Sequence, residues 1–96
     1  MENNQKYIIR GDRSGVFYGE IAARNGQEVT IRNCRRLWRW TGAASLSQLA
    51  VDGVKFPKDC KFTVTVNELT ILDAIELISC TDAACASING VPVWKI

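Results

Sequence analysis

The stretch that decides the fold is VFYGEIAARNGQEVTIR, residues 16–32. Residues 16–23 are rich in the β-branched and aromatic side chains that favour a strand. Residues 24–26 read Arg-Asn-Gly, a tight-turn signal, because Asn-Gly tolerates the positive φ that hairpin turns need. Residues 27–32 alternate polar and apolar side chains, which indicates a returning strand. With residues 7–10 as an earlier strand, the sequence predicts an antiparallel meander.

Farther along the chain, the pattern predicts two short helices. The first is capped by Thr41 or Ser45 and runs to about residue 52. The second is capped by Thr81 and runs to about residue 88. Each predicted end is followed closely by a glycine, Gly53 or Gly90, and glycine is common just past a helix.

The segment between the two helices predicts a hairpin. Residues 61–66 alternate cleanly, which indicates a strand with one wet face. Residues 69–79 fit a strand by their β-branched content and a helix by their apolar spacing. We interpret them as a strand that pairs with residues 61–66. The sequence also predicts that residues 91–96 form an extended tail docked on the fold and that residues 55–59 form a loop.

Length and composition bound the fold class. Ninety-six residues, 47% hydrophobic and 23% charged, predict a single folded domain over residues 1–96, with residues 1–5 flexible. The expected class is α+β: a mainly antiparallel sheet, made of the meander plus a C-terminal hairpin, with two short helices. No apolar run approaches the ~20 residues that cross a bilayer, and the polar N-terminus lacks a signal peptide's apolar segment. We therefore expect a cytoplasmic protein without membrane contact.

The chain contains no histidine, which excludes Ser-His and Cys-His catalysis and histidine-ligated metals. Its four cysteines, which include Cys80 and Cys85, form no Cys-x-x-Cys pair. Without a secretion signal they are expected to be small buried thiols rather than disulfides. We expect no enzyme activity, no catalytic residues, no metal and no cofactor.

The segment RNCRRLWRWTGAAS, residues 32–45, concentrates cationic and aromatic side chains. Aromatic rings stack on nucleobases, arginine forks bind phosphate, and a helix N-terminus offers N–H groups to an anion. Arg13, at the tip of the glycine-bounded loop 11–15, could close over such an anion. The candidate ligand-binding residues are therefore Arg13, Arg36, Trp38, Arg39, Trp40, Ala43, Ala44 and Ser45. The alternative is that the tryptophans are core or interface residues and the small residues only permit close packing.

Strand alternation cannot continue unchanged through this segment. One face would then carry Arg35 and Arg39, and a core face does not take two arginines comfortably. The sequence predicts a bulge or bend near residues 33–35, a feature that often redirects side chains beside binding sites. Trp38 and Trp40 then either turn inward or form an exposed aromatic face with Arg36.

Four stretches of the chain carry a resemblance to a known family. They are RRLWRWTGAASLSQLAVDGV, CKFTVTV, ILDAIELISCT and SINGVPVWKI. They resemble a family of small tailed-phage and prophage proteins grouped as a domain of unknown function. The resemblance implies a phage context, in which proteins of this size include sponges for the nucleotide signals of host immune systems.

These observations lead to one hypothesis and one alternative. The hypothesis is a phage or prophage protein that sequesters a phosphorylated nucleotide, a cyclic or NAD-derived immune messenger, in a pocket shared across a homo-oligomer. The alternative is a nucleic-acid-binding or protein-interaction module. The net charge is only +2, and a duplex-binding domain is usually more basic, so nucleic acid is the less favoured partner.

Overall fold

A computed structural model describes residues 5–96 and has the α+β class that the sequence predicts. Most of the predicted flexible segment, residues 1–4, lies outside the described residues. Gln5, the remaining residue of that segment, donates from Nε2 to the carbonyl of Cys80 at 3.0 Å. The elements in chain order are β1 (Lys6–Gly11), β2 (Val16–Asn25), β3 (Glu28–Arg39), α1 (Leu46–Asp52), β4 (Lys61–Phe62), β5 (Val66–Ile71), β6 (Ala74–Ser79) and α2 (Asp82–Asn89).

The predicted meander is present as β1, β2 and β3, paired antiparallel in that order. The β2–β3 turn lies one residue later than predicted, because Asn25 pairs with Glu28 and leaves Gly26 and Gln27 as the loop. Gly26 has φ 62°, so glycine supplies the left-handed conformation that the turn requires. Strand β3 is twice as long as predicted, because it continues past an irregularity to Arg39.

Both helices start at predicted caps. The hydroxyl of Ser45 accepts from the backbone N–H of Gln48 at 3.2 Å, and the hydroxyl of Thr81 accepts from that of Ala84 at 3.1 Å. These bonds satisfy N–H groups that the first turn of a helix leaves without a partner. Of the two predicted caps for α1, Ser45 is the one used. The predicted loop 55–59 contains one 3₁₀ turn, Pro57–Asp59.

The predicted C-terminal hairpin is corrected by the strand pairing. Residues 69–79 form strand rather than helix, as predicted, but Leu72 and Asp73 divide them between β5 and β6, and β5 pairs with β3 whereas β6 pairs with β1. Residues 61–66 are not one continuous strand, since β4 ends at Phe62 and β5 begins at Val66. The choice of strand partner depends on long-range packing that a local sequence pattern does not contain.

The link between β5 and β6 is only two residues long, which forces the sheet to curl. Because β5 lies beside β3 and β6 beside β1, two residues must bring those edges close together. Two backbone hydrogen bonds join this region to the loops on either side. The N–H of Ala74 donates to the carbonyl of Gln27, in the β2–β3 loop, at 3.0 Å, and the N–H of Asp12, just after β1, donates to the carbonyl of Asp73 at 2.9 Å. The sheet is therefore a partly closed barrel.

Alternating strand residues build two cores, one on each face of the curled sheet. The enclosed face carries Ile9, Phe17 and Ile31. The outer face carries Ile8 and Tyr18 and is covered by both helices, with contributions from Leu49 and Ile88 among others. Within residues 5–96, no helix is both long enough and apolar enough to cross a bilayer.

The C-terminal tail is docked, as predicted. Val93 bridges Phe62 in parallel orientation, and the N–H of Trp94 donates to the Phe62 carbonyl at 2.9 Å. The tail thus lies along β4 as a further short extended segment, at the edge of the sheet where β3 ends.

Candidate functional site: a basic cleft beside a tryptophan pair

The predicted irregularity in β3 lies at Asn33. This residue has φ 50°, and the β2 pairing moves from Arg32 opposite Glu20 to Arg35 opposite Tyr18. Three residues of β3 thus span two of β2, which is a bulge, and a bulge inverts which residues face each core. Strand alternation puts the two consecutive arginines after the bulge on opposite faces, and the bulge decides which face each one takes.

Arg35 turns into the protein and is 5% exposed. Its guanidinium donates to four backbone carbonyls: Nε to Thr63 at 3.0 Å, Nη1 to Ile88 at 3.0 Å, and Nη2 to Phe62 at 3.3 Å and Pro92 at 3.4 Å. The Ile88 carbonyl lies at the C-terminal end of α2, where the helix dipole favours a cation. Desolvation by burial lowers the pKa of Arg35. This arginine therefore stabilises the fold and joins β3, β4, α2 and the tail.

A cleft of about 470 Å³ opens where β3, the 3₁₀ turn and the tail meet. We call it the basic cleft; its lining residues are Arg39, Thr41, Lys58, Asp59, Cys60, Lys61 and Trp94. Cross-strand pairing places Arg39 opposite Lys61. Three cations and one carboxylate give the cleft a formal charge of +2, which equals that of the whole chain. A net positive formal charge at the cleft favours an anionic ligand.

The aromatic wall of the basic cleft belongs to a pair of stacked tryptophans. The ring centroids of Trp38 and Trp94 are 6.2 Å apart and their planes differ by 19°. Both rings remain accessible, with 64% of Trp38 and 44% of Trp94 exposed. The ammonium of Lys61 lies 5.3 Å from the Trp94 centroid, a cation–π distance. Aromatic faces and cations are therefore adjacent at this edge of the sheet.

Arg36 lies on the same face of β3 as Trp38, two residues before it. Its guanidinium covers the Phe17 ring at 4.9 Å, at the margin of the enclosed core. It lines a smaller recess of about 260 Å³ together with Val64, Leu69 and others. This recess is distinct in its lining from the basic cleft, although Arg36 and Trp38 belong to one exposed strand face.

The structure separates the other predicted residues from the cleft. Trp40 and Ala43 pack against the helix-covered core. The N–H of Ala44 donates to Oε1 of Gln48 at 2.8 Å and Ser45 caps α1, so these groups are engaged within the helix start. Ala43 therefore has a packing contact, whereas Ala44 and Ser45 are exposed at the helix start, and none of the three lines the basic cleft.

Gly42 shows the same close packing most clearly. It has φ 92°, and a Cβ there would lie 2.5 Å from the backbone nitrogen of Lys55. Neither the conformation nor the space admits a larger residue. The glycine that opens the small-residue run therefore has a packing role.

Arg13 lies elsewhere, on a loop that Asp73 holds in place. The carboxylate of Asp73 accepts from the N–H groups of Arg13 and Ser14 at 2.7 and 2.9 Å, and from the hydroxyl of Ser14 at 2.6 Å. These three bonds lower the pKa of Asp73, and the Ser14 hydroxyl bond has the largest effect. The side chain of Arg13 is exposed at the loop tip and does not line the basic cleft.

Of the seven residues that line the cleft, only Arg39 was predicted as a site residue; among the six others, Lys58, Lys61 and Trp94 supply two of the cations and the ring. Lys58 lies in the predicted loop 55–59, Lys61 begins the predicted strand 61–66, and Trp94 lies in the predicted docked tail. Their convergence on Arg39 depends on the β3–β4 register and the parallel bridge at Phe62. Sequence spacing does not specify such contacts between distant segments.

The cysteines are free thiols, as expected, and three of the four are buried. Burial raises the pKa of Cys34 to about 11 and that of Cys80 to about 12. A raised pKa keeps a thiol protonated and unreactive. Within the described chain, no group of three or more His, Cys, Asp or Glu residues could hold a metal ion.

The comparisons with known proteins give one match. Residues 4–88 match a family model described as a domain of unknown function, DUF6948. The chain belongs to this family. No curated protein and no solved structure matches it. The DUF6948 match includes Arg39, Lys58 and Lys61 but ends before Trp94, so three cations of the cleft lie in the family domain and the aromatic residue lies beyond it.

Proposed function

We propose that this protein binds a phosphorylated, nucleotide-type ligand at the basic cleft and the adjoining tryptophan pair. The observation that carries the proposal is the position of three cations and an accessible tryptophan around one cleft of about 470 Å³. The ligand chemistry follows from these two components, an anion and a planar aromatic group.

The phosphate contact is assigned to the cations. Arg39 offers a planar fork that can donate two parallel hydrogen bonds to phosphate oxygens, and Lys58 and Lys61 add point charges. The ion pairs found within residues 5–96 use other cations, Lys6 and Arg32, which lie outside the cleft. The cleft cations are thus available to an anionic ligand.

The base contact is assigned to the tryptophans. Stacking on an aromatic side chain is worth ~1–3 kcal/mol per base and does not depend strongly on base identity. Trp38, with 64% of its surface exposed, offers the larger accessible ring. Arg36, on the same strand face, is placed for a second phosphate contact.

Sequestration of the ligand, rather than its conversion, is the proposed activity. The family resemblance to phage and prophage proteins supports a nucleotide immune messenger of the host as the ligand, bound in the host cytoplasm. A protein that binds such a messenger lowers its free concentration and so blocks the defence response.

A homo-oligomer is part of the proposal, because the cleft is open on one side. Small-ligand sites usually bury 70–90% or more of the ligand surface. A second copy packed on this edge covers both the ligand and exposed apolar side chains such as Trp38, Phe56 and Val93. Light scattering coupled to size-exclusion chromatography then reports at least a dimer, and a monomer of 10.7 kDa at high concentration contradicts the shared site.

Single-stranded nucleic acid is the second candidate, favoured by the adjacency of cations and exposed rings along one sheet edge. Proteins that bind single strands combine a basic groove with stacking platforms. Affinity that rises with oligonucleotide length and falls steeply with salt supports this candidate. A mononucleotide that binds as well as a ten-residue oligonucleotide contradicts it.

A thermal-shift screen against mono-, di- and cyclic nucleotides tests the first candidate, since a ligand of the folded state raises its stability by mass action. Arg39→Ala should abolish most of the shift. Arg10→Ala, which removes the same charge from an exposed position on β1, is the matched control and should retain it. Equal shifts in both variants contradict the assignment of the phosphate contact to the cleft.

A further inference from the structure

The C-terminal tail supplies the aromatic wall of the basic cleft. Two observations fix its path: the N–H of Trp94 donates to the Phe62 carbonyl at 2.9 Å, and the Pro92 carbonyl accepts from Arg35 at 3.4 Å. The ring of Trp94 then contacts Trp38 on one strand and Lys61 on the next. A tail residue is therefore held at the cleft by the fold interior.

The cations and the aromatic wall contribute different kinds of selectivity. Arg39, Lys58 and Lys61 attract any polyanion, because charge and hydrogen bonds to phosphate do not report what the phosphate is attached to. A ring responds to a planar group on the ligand, because stacking needs a second π-face. The cleft holds one residue of this second kind, Trp94.

Resting on the proposed function, we propose that Trp94 is the specificity-determining residue of the basic cleft. It selects ligands whose phosphates are attached to a nucleobase over inorganic polyphosphate. The family domain, matched over residues 4–88, provides the phosphate site, and the tail adds the selection for the base.

The test compares ATP with inorganic tripolyphosphate, which have similar phosphate chains and differ in the nucleoside. Calorimetry measures both affinities for the unaltered protein and for Trp94→Ala, Trp94→Phe and Ile96→Ala. Ile96 is on the same tail and fully exposed, so its variant is the matched control. Trp94→Ala should weaken ATP binding at least about fivefold and leave tripolyphosphate binding within twofold. Trp94→Phe, which keeps a ring, should retain most of the preference, and Ile96→Ala should retain all of it.

Two results overturn the inference. In one, Trp94→Ala weakens ATP and tripolyphosphate equally, which means that the tail only shapes the phosphate site. In the other, Trp94→Ala changes neither affinity, which means that the base contacts another ring. Both leave the proposed function standing, because the unaltered protein still binds. If the unaltered protein binds neither ATP nor any nucleotide of the screen, the proposed function fails first and the inference with it.

Stability measurements separate loss of the ring from loss of the tail. Urea unfolding of Trp94→Ala should give a midpoint lowered only by loss of the Trp38 ring pair and the Lys61 contact, because the bonds that anchor the tail through its backbone groups remain. The midpoint of Trp94→Phe, which keeps a ring, should lie between those of Trp94→Ala and Ile96→Ala. A Trp94→Ala variant that is well folded and still prefers ATP contradicts the proposal.

Discussion

Arg35 and Arg36 are neighbours in the chain, and the structure gives them opposite environments. Arg35 is enclosed by four carbonyls, whereas Arg36 is exposed and lies over a phenylalanine ring. The bulge at Asn33 decides which arginine turns inward. Similar residues that are neighbours in the sequence can therefore lie in different environments, one interior and one at the surface. The tryptophans differ in the same way: Trp38 is mostly exposed, whereas Trp40 packs against the helix-covered core.

The largest expected effect is at the interior arginine. Arg35→Ala removes a donor from four backbone carbonyls, of which those of Thr63 and Pro92 have no other donor within residues 5–96, and each unsatisfied buried polar group costs ~1–3 kcal/mol. We expect a loss of at least about 3 kcal/mol in the free energy of unfolding, measured by urea denaturation. Arg36→Ala, the matched control, should lose about 0.5–1 kcal/mol, the size of an exposed cation–π contact. Equal losses in the two variants contradict the division.

The next effect compares the two tryptophans. Trp40 packs against the helix-covered core, whereas Trp38 is mostly exposed and contacts Trp94. Trp40→Ala should lower the free energy of unfolding by about 2–3 kcal/mol. This loss is smaller than that for a fully buried tryptophan, because Trp40 is only partly buried. Trp38→Ala should cost about 1 kcal/mol, the size of an aromatic pair. Unfolding midpoints of the two variants measure this difference, and a larger loss at Trp38 would place that ring in the core.

Binding gives the third comparison, between Arg39 in the basic cleft and Arg13 on its separate loop. Arg39→Ala removes a charge-assisted hydrogen bond to phosphate and should weaken nucleotide binding by about 1.5–3 kcal/mol. Arg13→Ala lowers the net charge by the same amount as Arg39→Ala and is therefore the matched control, and it should leave the affinity unchanged. Calorimetric titration of both variants measures this. An equal loss at Arg13 supports the sequence-based proposal that its loop closes over the anion.

The sequence predicts local features of the fold well, because those features have local causes. The Asn-Gly turn region and the caps Ser45 and Thr81 follow from the conformation that a few adjacent residues favour. The bulge near residue 33 follows from the alternation pattern, which would otherwise place two arginines on a core face. The antiparallel meander follows from short connections. The α+β class is the sum of these local signals.

Strand partners and cleft composition were not predictable in the same way. The β-branched content of residues 69–79 favours a strand but suits several partners, and only the curl of the sheet assigns β5 to β3 and β6 to β1. Likewise, Arg39 meets Lys61 and Trp94 through the register of β3, β4 and the tail. Arg35 was the least predictable residue, since the carbonyls that satisfy it come from separate segments of the chain.

The smallest expected effect concerns Asp73, which fixes the loop that carries Arg13. Its two carboxylate oxygens accept three hydrogen bonds, from the N–H groups of Arg13 and Ser14 and from the Ser14 hydroxyl. The Ser14 hydroxyl and these N–H groups hold the pKa of Asp73 below its usual value of 3.8. The contribution to stability is therefore fully present above the unfolded pKa and is lost as the pH falls through the lower, folded pKa.

Asp73→Asn tests that contribution, because an amide has only one acceptor oxygen for the three donors. We expect the variant to unfold at slightly lower urea than the unaltered protein at pH 7. The difference between the two should shrink as the pH falls below 3.8 and the carboxylate becomes protonated. Nucleotide binding at pH 7 should be unchanged, since this loop does not line the basic cleft. A stability difference that stays constant from pH 7 to acid contradicts a contribution from the charge of Asp73, because that contribution is lost once the carboxylate is protonated.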